Sequence, residues 1–138
     1  MTESIRKVDY FKMETPNRPG EAARILGALK NDGVNLLVFS GFPQGRRSQL
    51  DFIAENTEAF KRTAKREGWK IGSKKSGFFV QGSDRVGAVA DLVTMLSEAK
   101  INITAIDALS AGEGRFAAVL WVKSPDVAKA RKVLGAAG

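Results

Sequence analysis

The sequence feature that most constrains the fold is an internal repeat. Shifting the chain by 67 residues places 5–71 over 72–138 without a gap, and 10 of the 67 aligned positions are identical. The identities cluster in one segment, where Arg18, Gly20, Ala23, Leu29 and Asn35 fall on Arg85, Gly87, Ala90, Leu96 and Asn102. A spacing that recurs in phase predicts two copies of one small domain. We assign repeat 1 to residues 1–72, a polar linker to 73–76 and repeat 2 to 77–138.

Both halves predict the same order of elements. An apolar stretch ends at a turn, and a helix follows with apolar residues at i, i+3, i+4 and i+7 (22, 25, 26 and 29; 89, 92, 93 and 96). Two strands come next (34–40 and 49–55; 101–109 and 116–122), and Thr57 and Ser124 suit the N-cap of a second helix. The order β-α-β-β-α-β predicts an α+β fold of two ferredoxin-like repeats, with their sheets paired side by side.

The ends of the two halves differ. Residues 68–71 offer a helix-ending glycine and a short fourth strand, whereas the end of repeat 2 (Leu134-Gly-Ala-Ala-Gly138) has no large or β-branched residue after Leu134, where that strand belongs. We expect the last strand of repeat 2 to be short or missing, or the long first strand to take its place. We also expect a second copy of the chain to cover the open edge, which predicts a homodimer.

Composition excludes several classes of function. Cysteine and histidine are absent, so disulfides, Cys/His metal ligation, thiol nucleophiles and imidazole-dependent triads are excluded. The longest apolar run, Phe116–Val122, is too short to cross a bilayer, and residues 1–9 contain no apolar export segment. We therefore predict a cytoplasmic protein that does not contact membranes, needs no metal or cofactor and is not an enzyme.

The repeated residues lie in two loops that suit a small ligand. Gly20 and Gly87 lack a Cβ where the chain enters a helix, so a carboxylate could approach the free N–H groups there. The amides of Asn35 and Asn102 could pair with an ammonium or a carboxylate. We expect both loops to lie at the same end of the sheet and to hold an amino acid. The alternative is plain turn chemistry, with Asn17 and Asp84 as helix N-caps and Arg18 and Arg85 pointing to solvent.

The spacing Asn/Asp-Arg-x-Gly-x2-Ala-x5-Leu-x5-Asn, present at 17–35 and 84–102, resembles the signature of ACT domains. Residues 100–103 (Lys-Ile-Asn-Ile) resemble the start of the second strand of that family especially well, and the resemblance extends over nearly the whole chain. The departures are the missing last strand and Lys100, where the first half has Gly33.

The ACT resemblance implies a regulatory protein that binds an amino acid at the interface between ACT repeats and acts allosterically, with a metabolic enzyme as a partner. The ligand contacts that it implies are Asn17, Arg18, Pro19, Gly20, Asn35, Leu36, Asp84, Arg85, Val86, Gly87, Asn102 and Ile103.

Three alternatives share this topology. An RNA-binding module is suggested by the net charge of +7 and by residues 114–121, but Ala118 stands where a stacking aromatic is required. An acylphosphatase is suggested by residues 79–82, but Arg85 lies one residue away from the required spacing. A tandem domain that binds no ligand and serves protein–protein interaction also fits.

Two further groups of residues favour ordinary structural roles. Phe42, Trp69 and Trp121 are typical of core or interface aromatics. The basic run Lys61, Arg62, Lys65 and Arg66 is typical of the solvated face of a helix.

Overall fold

The computed structural model describes residues 3–138, which form two compact units. One unit consists of residues 9–75, and the other consists of residues 76–138 together with residues 3–8. We call them the 9–75 unit and the 76–138 unit. Strand β1 (Ser4–Pro16) therefore contributes residues to both units. The repeat boundaries 1–72, 73–76 and 77–138 stay a prediction, and residues 1 and 2 of the predicted first repeat lie outside the described part.

The 9–75 unit has the predicted β-α-β-β-α order. After β1 come α1 (Glu21–Asn31), β2 (Leu36–Gln44), β3 (Arg47–Ala54) and α2 (Thr57–Glu67). The strand order is β2-β3-β1, and the antiparallel β1–β3 register runs from Phe11 opposite Phe52 to Pro16 opposite Arg47. Helix α2 begins one residue earlier than predicted, since its N-cap is Asn56 and not Thr57, and Asn56 Oδ1 accepts from the Ala59 N–H.

The fourth strand predicted at residues 68–71 is not formed. Gly68 ends α2 with φ 71°, as predicted for a C-cap glycine, but the Trp69 N–H then donates to the Ala64 carbonyl at 2.9 Å. That hydrogen bond uses the Trp69 N–H, which a strand beginning at this residue would need for pairing. The chain still passes beside β1, where the Gly72 N–H donates to the Lys12 carbonyl at 3.1 Å.

The 76–138 unit repeats the same order. It contains β4 (Lys75–Ser83), α3 (Ala88–Glu98), β5 (Ile103–Gly112), β6 (Arg115–Val122), a 3₁₀ turn (Ser124–Asp126) and α4 (Val127–Leu134). Ser124 is the first residue of the 3₁₀ turn, whose N-cap is Lys123, so its predicted N-cap role is wrong by one residue.

The missing last strand of the second repeat is replaced by the start of the chain. In the 76–138 unit the strand order is β1-β4-β6-β5, so β1 occupies the position beside β4. The chain end contributes a single bridge, in which the Lys7 N–H donates to the Ala137 carbonyl at 2.7 Å and the Ala137 N–H to the Ile5 carbonyl at 3.0 Å. The predicted alternative in which the long first strand takes this place is confirmed.

The gap-free repeat alignment misplaces the third strand by one residue. Gly41 pairs with Leu50 in the first hairpin, and its counterpart Ala108 pairs with Ala118 in the second. From the first hairpin to the second the numbering therefore rises by 67 on the earlier strand and by 68 on the later one. The extra residue forms a bulge between Ser110 and Gly112.

The helices cover one face of each sheet, and the predicted apolar stripes are confirmed, with Ile25, Leu29, Leu92 and Leu96 buried. The core of the 9–75 unit is aromatic: the Phe60 ring lies 5.4 Å from Phe11 and 5.2 Å from Phe52. The core of the 76–138 unit is mainly aliphatic and consists of Phe78, Val80, Ala88, Leu92, Leu96, Ile101, Phe116, Ala118, Leu120, Val122, Ala130, Leu134 and Ala136.

Within residues 3–138, no helix combines the length and the apolar character needed to cross a membrane. The same residues bring together no group of three or more acidic side chains that could hold a metal ion.

Candidate functional site

The loop that starts α1 leaves backbone donors available. Gly20 is the N-cap residue with φ 90°, and no side chain of the described residues caps this helix. The N–H groups of Ala22 and Ala23 lie in the first helical turn, where no preceding carbonyl of the helix can accept from them. A Cβ added at Gly20 would meet nothing within 4 Å. The glycine is therefore required by the left-handed backbone, and the space beside it is open.

The loop that starts α3 has the same construction. Gly87 is its N-cap with φ 86°, and again no side chain in the described part of the chain caps the helix. The first-turn donors here are the N–H groups of Val89 and Ala90. We call residues 17–20 and 84–87 the helix-start loops.

The predicted N-cap roles of Asn17 and Asp84 are wrong. Each helix begins after a positive-φ glycine three residues later, so neither side chain reaches the first-turn N–H groups. Asn17 Oδ1 instead accepts from Ser48 Oγ, and Asp84 Oδ2 accepts from Ser110 Oγ, both at 3.1 Å. Both contacts tie a helix-start loop to the neighbouring β-hairpin.

A cleft borders each helix-start loop. The Phe42 cleft, about 430 Å³, is lined by Thr15, Pro16, Asn17, Arg18, Pro19, Gly20, Glu21, Ala22, Ala23, Phe39, Gly41, Phe42, Pro43, Ser48 and Leu50. The Leu109 cleft, about 440 Å³, is lined by Asp84, Arg85, Gly87, Ala88, Val89, Ala90, Ala108, Leu109, Ser110 and Phe116.

The structure brings together seven of the twelve predicted contact residues, four in one cleft and three in the other. Val86 lies in the second loop with a fully exposed side chain and does not line the Leu109 cleft. The remaining four, at the starts of β2 and β5, lie elsewhere.

The expectation that both loops share one end of the sheet is wrong. Pro16 pairs with Arg47 at one end of β3, whereas Leu36 pairs with Ala54 at the other end. Seven residues of strand separate the two ends, about 23 Å. The reason is topological, because α1 carries the chain back along the sheet before β2 begins.

The starts of β2 and β5 make their own contacts. The Asn35 carbonyl accepts from the Glu55 N–H at 2.9 Å, and Asn35 Nδ2 donates to Glu55 Oε2 at 3.4 Å. Asn102 and Ile103 occupy the matching place, since Ile103 pairs with Val122 while Ser83 pairs with Arg115 at the opposite end.

Each cleft is lined by one arginine and one carboxylate, Arg18 with Glu21 in the first and Arg85 with Asp84 in the second. Glu21 accepts from Arg24 at 2.9 Å and from Arg18 at 3.1 Å, and these hydrogen bonds hold the pKa of its carboxyl below the ordinary value. In the other unit Arg85 donates to Asp91 at 2.7 Å, and Asp84 lines the cleft. The charges that line each cleft therefore cancel, because Arg24 does not line the first cleft and Asp91 does not line the second.

Arg18 and Arg85 have side chains that are 67% and 49% exposed, as the solvent-facing alternative predicted. Both nevertheless line a cleft.

Sequence reasoning missed the wall that the hairpin contributes, which includes Phe39, Gly41 and Phe42 in one unit and Leu109 in the other. A signal for it was present, because the turn of the β2–β3 hairpin must lie at the end of the sheet where β1 finishes. Phe42 was expected to be a core or interface aromatic; its side chain is 40% exposed, so it is not a core residue, and the interface role stays a prediction. Trp121 is buried, and Trp69 packs against the core with its ring 6.4 Å from Phe60.

The RNA-binding and acylphosphatase alternatives depend on residues that the structure does not make available for binding. Phe116 and Trp121, the aromatics of the candidate RNA-binding strand, are 4% and 6% exposed, so neither offers a ring for base stacking. Residues 79–82, the candidate phosphate loop, lie inside strand β4, where their N–H groups cannot converge on a phosphate.

No protein-family model matches the chain, and no curated protein matches its sequence. Solved structures do match its fold. A protein from Bacteroides thetaiotaomicron is similar over 95% of this chain and 88% of its own, with a TM-score of 0.81 and 15% identity.

Two aspartate kinase structures extend the likeness. The regulatory subunit of aspartate kinase from Thermus thermophilus matches over 96% of this chain and 94% of its own (TM-score 0.66, 14% identity). The aspartokinase alpha and beta subunits match over 97% and 95% (TM-score 0.63, 18% identity). The predicted ACT-like α+β fold is confirmed.

Proposed function

We propose that the protein is a non-catalytic regulatory protein that binds a free amino acid, whose carboxylate lies at a helix-start loop. One observation carries the proposal: in each unit a cleft contains the start of a helix whose first-turn N–H groups have neither a helical nor a side-chain partner. The ACT-like fold and the twice-repeated signature support a regulatory role rather than catalysis.

Elementary electrostatics matches this site to a carboxylate. The free N–H groups at the start of a helix lie at the positive end of its dipole and favour an anion. In the Phe42 cleft the Glu21 carboxylate also accepts from two arginines, and its remaining lone pairs can accept from a ligand ammonium. The cleft thus has partners for both charged groups of an amino acid.

The second set of predicted contacts, Asn35, Leu36, Asn102 and Ile103, requires a further assumption. Within one unit these residues lie at the end of the sheet remote from the helix-start loop. A ligand that touches both sets therefore has to lie between two ACT-type domains, as the ACT resemblance implies. We propose that the chain forms a homodimer and that binding changes its association or the activity of a metabolic enzyme.

A thermal-shift screen of the full chain against the twenty amino acids tests the proposal. A ligand present at about 100 times its dissociation constant stabilises the folded state by about 2.7 kcal/mol, a clear shift in the midpoint. If no amino acid shifts the midpoint and single-stranded RNA binds with steep salt dependence, the RNA-binding alternative replaces this proposal.

A proline scan of the helix starts locates the site. Ala22→Pro and the matched Val89→Pro each remove one N–H that has no helical acceptor, so the helix itself loses no hydrogen bond. We expect at least one of them to abolish the ligand-induced shift while circular dichroism and the ligand-free midpoint stay close to the parent values. Retention of the shift in both variants, with the fold intact, would contradict a carboxylate at these N–H groups.

A further inference from the structure

Helix α2 borders a groove that shares no lining residue with the two clefts. The groove encloses about 400 Å³ within the 9–75 unit and is lined by Glu58, Lys61, Arg62, Ala64, Lys65, Trp69 and Ile71. We call it the α2 groove. Its floor is apolar, because Trp69 and Ile71 pack against the core of the unit and are only partly buried. Its four charged residues are all exposed.

The charges of the α2 groove do not cancel. Three cations line it against one carboxylate, and Lys61 Nζ lies 3.7 Å from Glu58 Oε2. Within residues 3–138, Arg62 and Lys65 have no carboxylate partner. The cations also repel one another, because residues three or four apart are neighbours on the surface of a helix. The groove therefore has an excess of two positive charges that the described part of the chain leaves unpaired.

The matching helix of the 76–138 unit has the cations without the apolar floor. The 67-residue shift places Lys129 and Lys132 at the positions of Arg62 and Lys65. It places Ala136 and Gly138 at the positions of Trp69 and Ile71. Cations that serve only solubility need no apolar surface beside them, and at these positions the 9–75 unit alone combines the two.

An acidic protein helix with one apolar face complements the α2 groove. Its carboxylates match the unpaired cations, and an apolar side chain between them covers the floor. Carboxylates four residues apart on such a helix are separated by about 6 Å along the axis, the same rise that separates Lys61 from Lys65 on α2. Nucleic acid fits less well, because Glu58 repels phosphate. The groove also has a single aromatic ring, Trp69, which is partly buried with its centroid 6.4 Å from Phe60, whereas strand binding uses successive exposed rings.

We propose that the α2 groove is the docking site for a partner protein that presents an acidic amphipathic helix. Carboxylates of the partner pair with Arg62 and Lys65, and an apolar side chain between them packs on Trp69 and Ile71. The inference goes beyond the proposed function, since no residue of the two clefts takes part in it.

Fluorescence anisotropy of labelled synthetic peptides with the full chain measures the interaction. The acidic probe is an end-capped peptide of about 18 residues, long enough to form a helix in isolation, with leucine on one face and glutamate beside it. A second peptide replaces glutamate by glutamine, and a third replaces leucine by alanine. We expect saturable binding of the acidic probe, and binding at least about tenfold weaker for each of the other two peptides, because each loses one half of the complementarity.

Two double variants locate the binding site on the chain. Arg62→Gln with Lys65→Gln removes the unpaired cations of the groove, and Lys129→Gln with Lys132→Gln removes the same charge from the matching helix. We expect the first to weaken binding of the acidic probe about tenfold and the second to change it by less than about twofold. All four side chains belong to exposed residues without an ion-pair partner in the described chain, so the urea midpoints should stay close to the parent value.

Three results would overturn the inference. The first is that the acidic probe does not bind, and the second is that both double variants weaken it equally, which would mean that net charge alone drives binding. The third is that an oligouridine of similar length binds more tightly than the probe and loses affinity in the Arg62 and Lys65 double variant, which would assign the groove to nucleic acid. These experiments contain no amino acid, so their failure leaves the proposed function unaffected, and a negative thermal-shift screen leaves the docking site unaffected.

Discussion

In the 9–75 unit a polar cluster joins the end of α1 to α2, whereas the matching side chains of the 76–138 unit are apolar. Thr63 Oγ donates to Asp32 Oδ2 at 2.6 Å, and Arg66 donates to Asp32 Oδ1 at 2.7 Å. The 67-residue shift replaces these residues by Ala99, Ala130 and Val133. All three apolar residues belong to the core of their unit or pack against it.

The comparison shows that the fold does not require the polar cluster. Thr63 is 2% exposed, so its hydroxyl must have a partner, and Asp32 supplies one. In the 76–138 unit Ala130 stands at the position of the threonine, so there is no hydroxyl that needs a partner. The two neighbouring positions, Ala99 and Val133, are apolar as well. The three positions have therefore changed as a set, as expected for groups that satisfy one another.

The largest effect that sharpens the comparison concerns the two cores. Phe60 is fully buried among aromatic rings, and its counterpart Val127 is only partly buried. We expect Phe60→Ala to lower the free energy of unfolding by about 3–5 kcal/mol, and Val127→Ala to lower it by about 1 kcal/mol. Urea unfolding measures both values. Equal losses would contradict the view that the 9–75 unit depends on its aromatic centre.

Removal of the threonine hydroxyl comes next in size. Thr63→Ala should cost about 1–2 kcal/mol in the free energy of unfolding, because a hydrogen bond to a carboxylate is lost. Thr63→Ser keeps the hydroxyl and serves as the control, with most of the stability retained. An unchanged urea midpoint for Thr63→Ala would mean that the cluster contributes nothing.

The loops before β2 and β5 provide a smaller effect of opposite sign. Gly33 has φ 71° and its counterpart Lys100 has φ 60°, a left-handed conformation that costs a non-glycine residue about 1 kcal/mol. We expect Lys100→Gly to raise the free energy of unfolding by up to about 1 kcal/mol and Gly33→Ala to lower it by a similar amount. Thermal unfolding followed by circular dichroism reports both, and stabilisation by Gly33→Ala would refute the explanation.

The smallest predicted effect is a difference in acid sensitivity. Hydrogen bonds from Arg66 and then from Thr63 lower the pKa of Asp32 from its ordinary value of 3.8. Since the pKa is lower in the folded state, the stabilisation is present above pH 3.8 and disappears as the pH falls through the folded value. The 9–75 unit should therefore lose this contribution to its stability in acid. The 76–138 unit has Ala99 at the matching position, so it has no carboxylate there to be protonated.

Each unit contains one tryptophan, Trp69 or Trp121, so the variants Trp121→Phe and Trp69→Phe report on them separately by fluorescence. Urea midpoints at pH 6 and pH 3 are compared with and without Asp32→Asn. If the acid loss of the 9–75 unit is the same in Asp32→Asn, another carboxylate is responsible.

The sequence predicted the elements because periodicity and turn chemistry are local properties. The stripes that contain Ile25 and Leu92 determine which face of each helix is buried, and Gly68 marks the end of α2. The predicted βαββαβ order followed from the repeat of these local signals, and the ACT-like fold followed from the resemblance of residues 17–35 and 84–102 to the ACT signature.

The sequence could not predict what depends on contacts distant along the chain. The sequence left open whether β1 takes the place of the last strand, because this depends on the pairing of β1 with β4, a segment far away along the chain. The bulge after Ser110 changes the register without leaving a gap in the alignment. In the candidate site the repeated spacing located the helix-start loops, but the sequence placed Asn35 at the wrong end of the sheet. The reason is that α1 returns the chain to the opposite end of the sheet before β2 begins.

The most direct test of the central claim is a ¹⁵N-resolved NMR titration of the full chain with the amino acid that gives the largest thermal shift. The account predicts saturable shifts of the amide signals at one or both helix starts, Ala22 with Ala23 and Val89 with Ala90. Absence of any shift at either helix start, or shifts confined to residues far from both clefts, would contradict it.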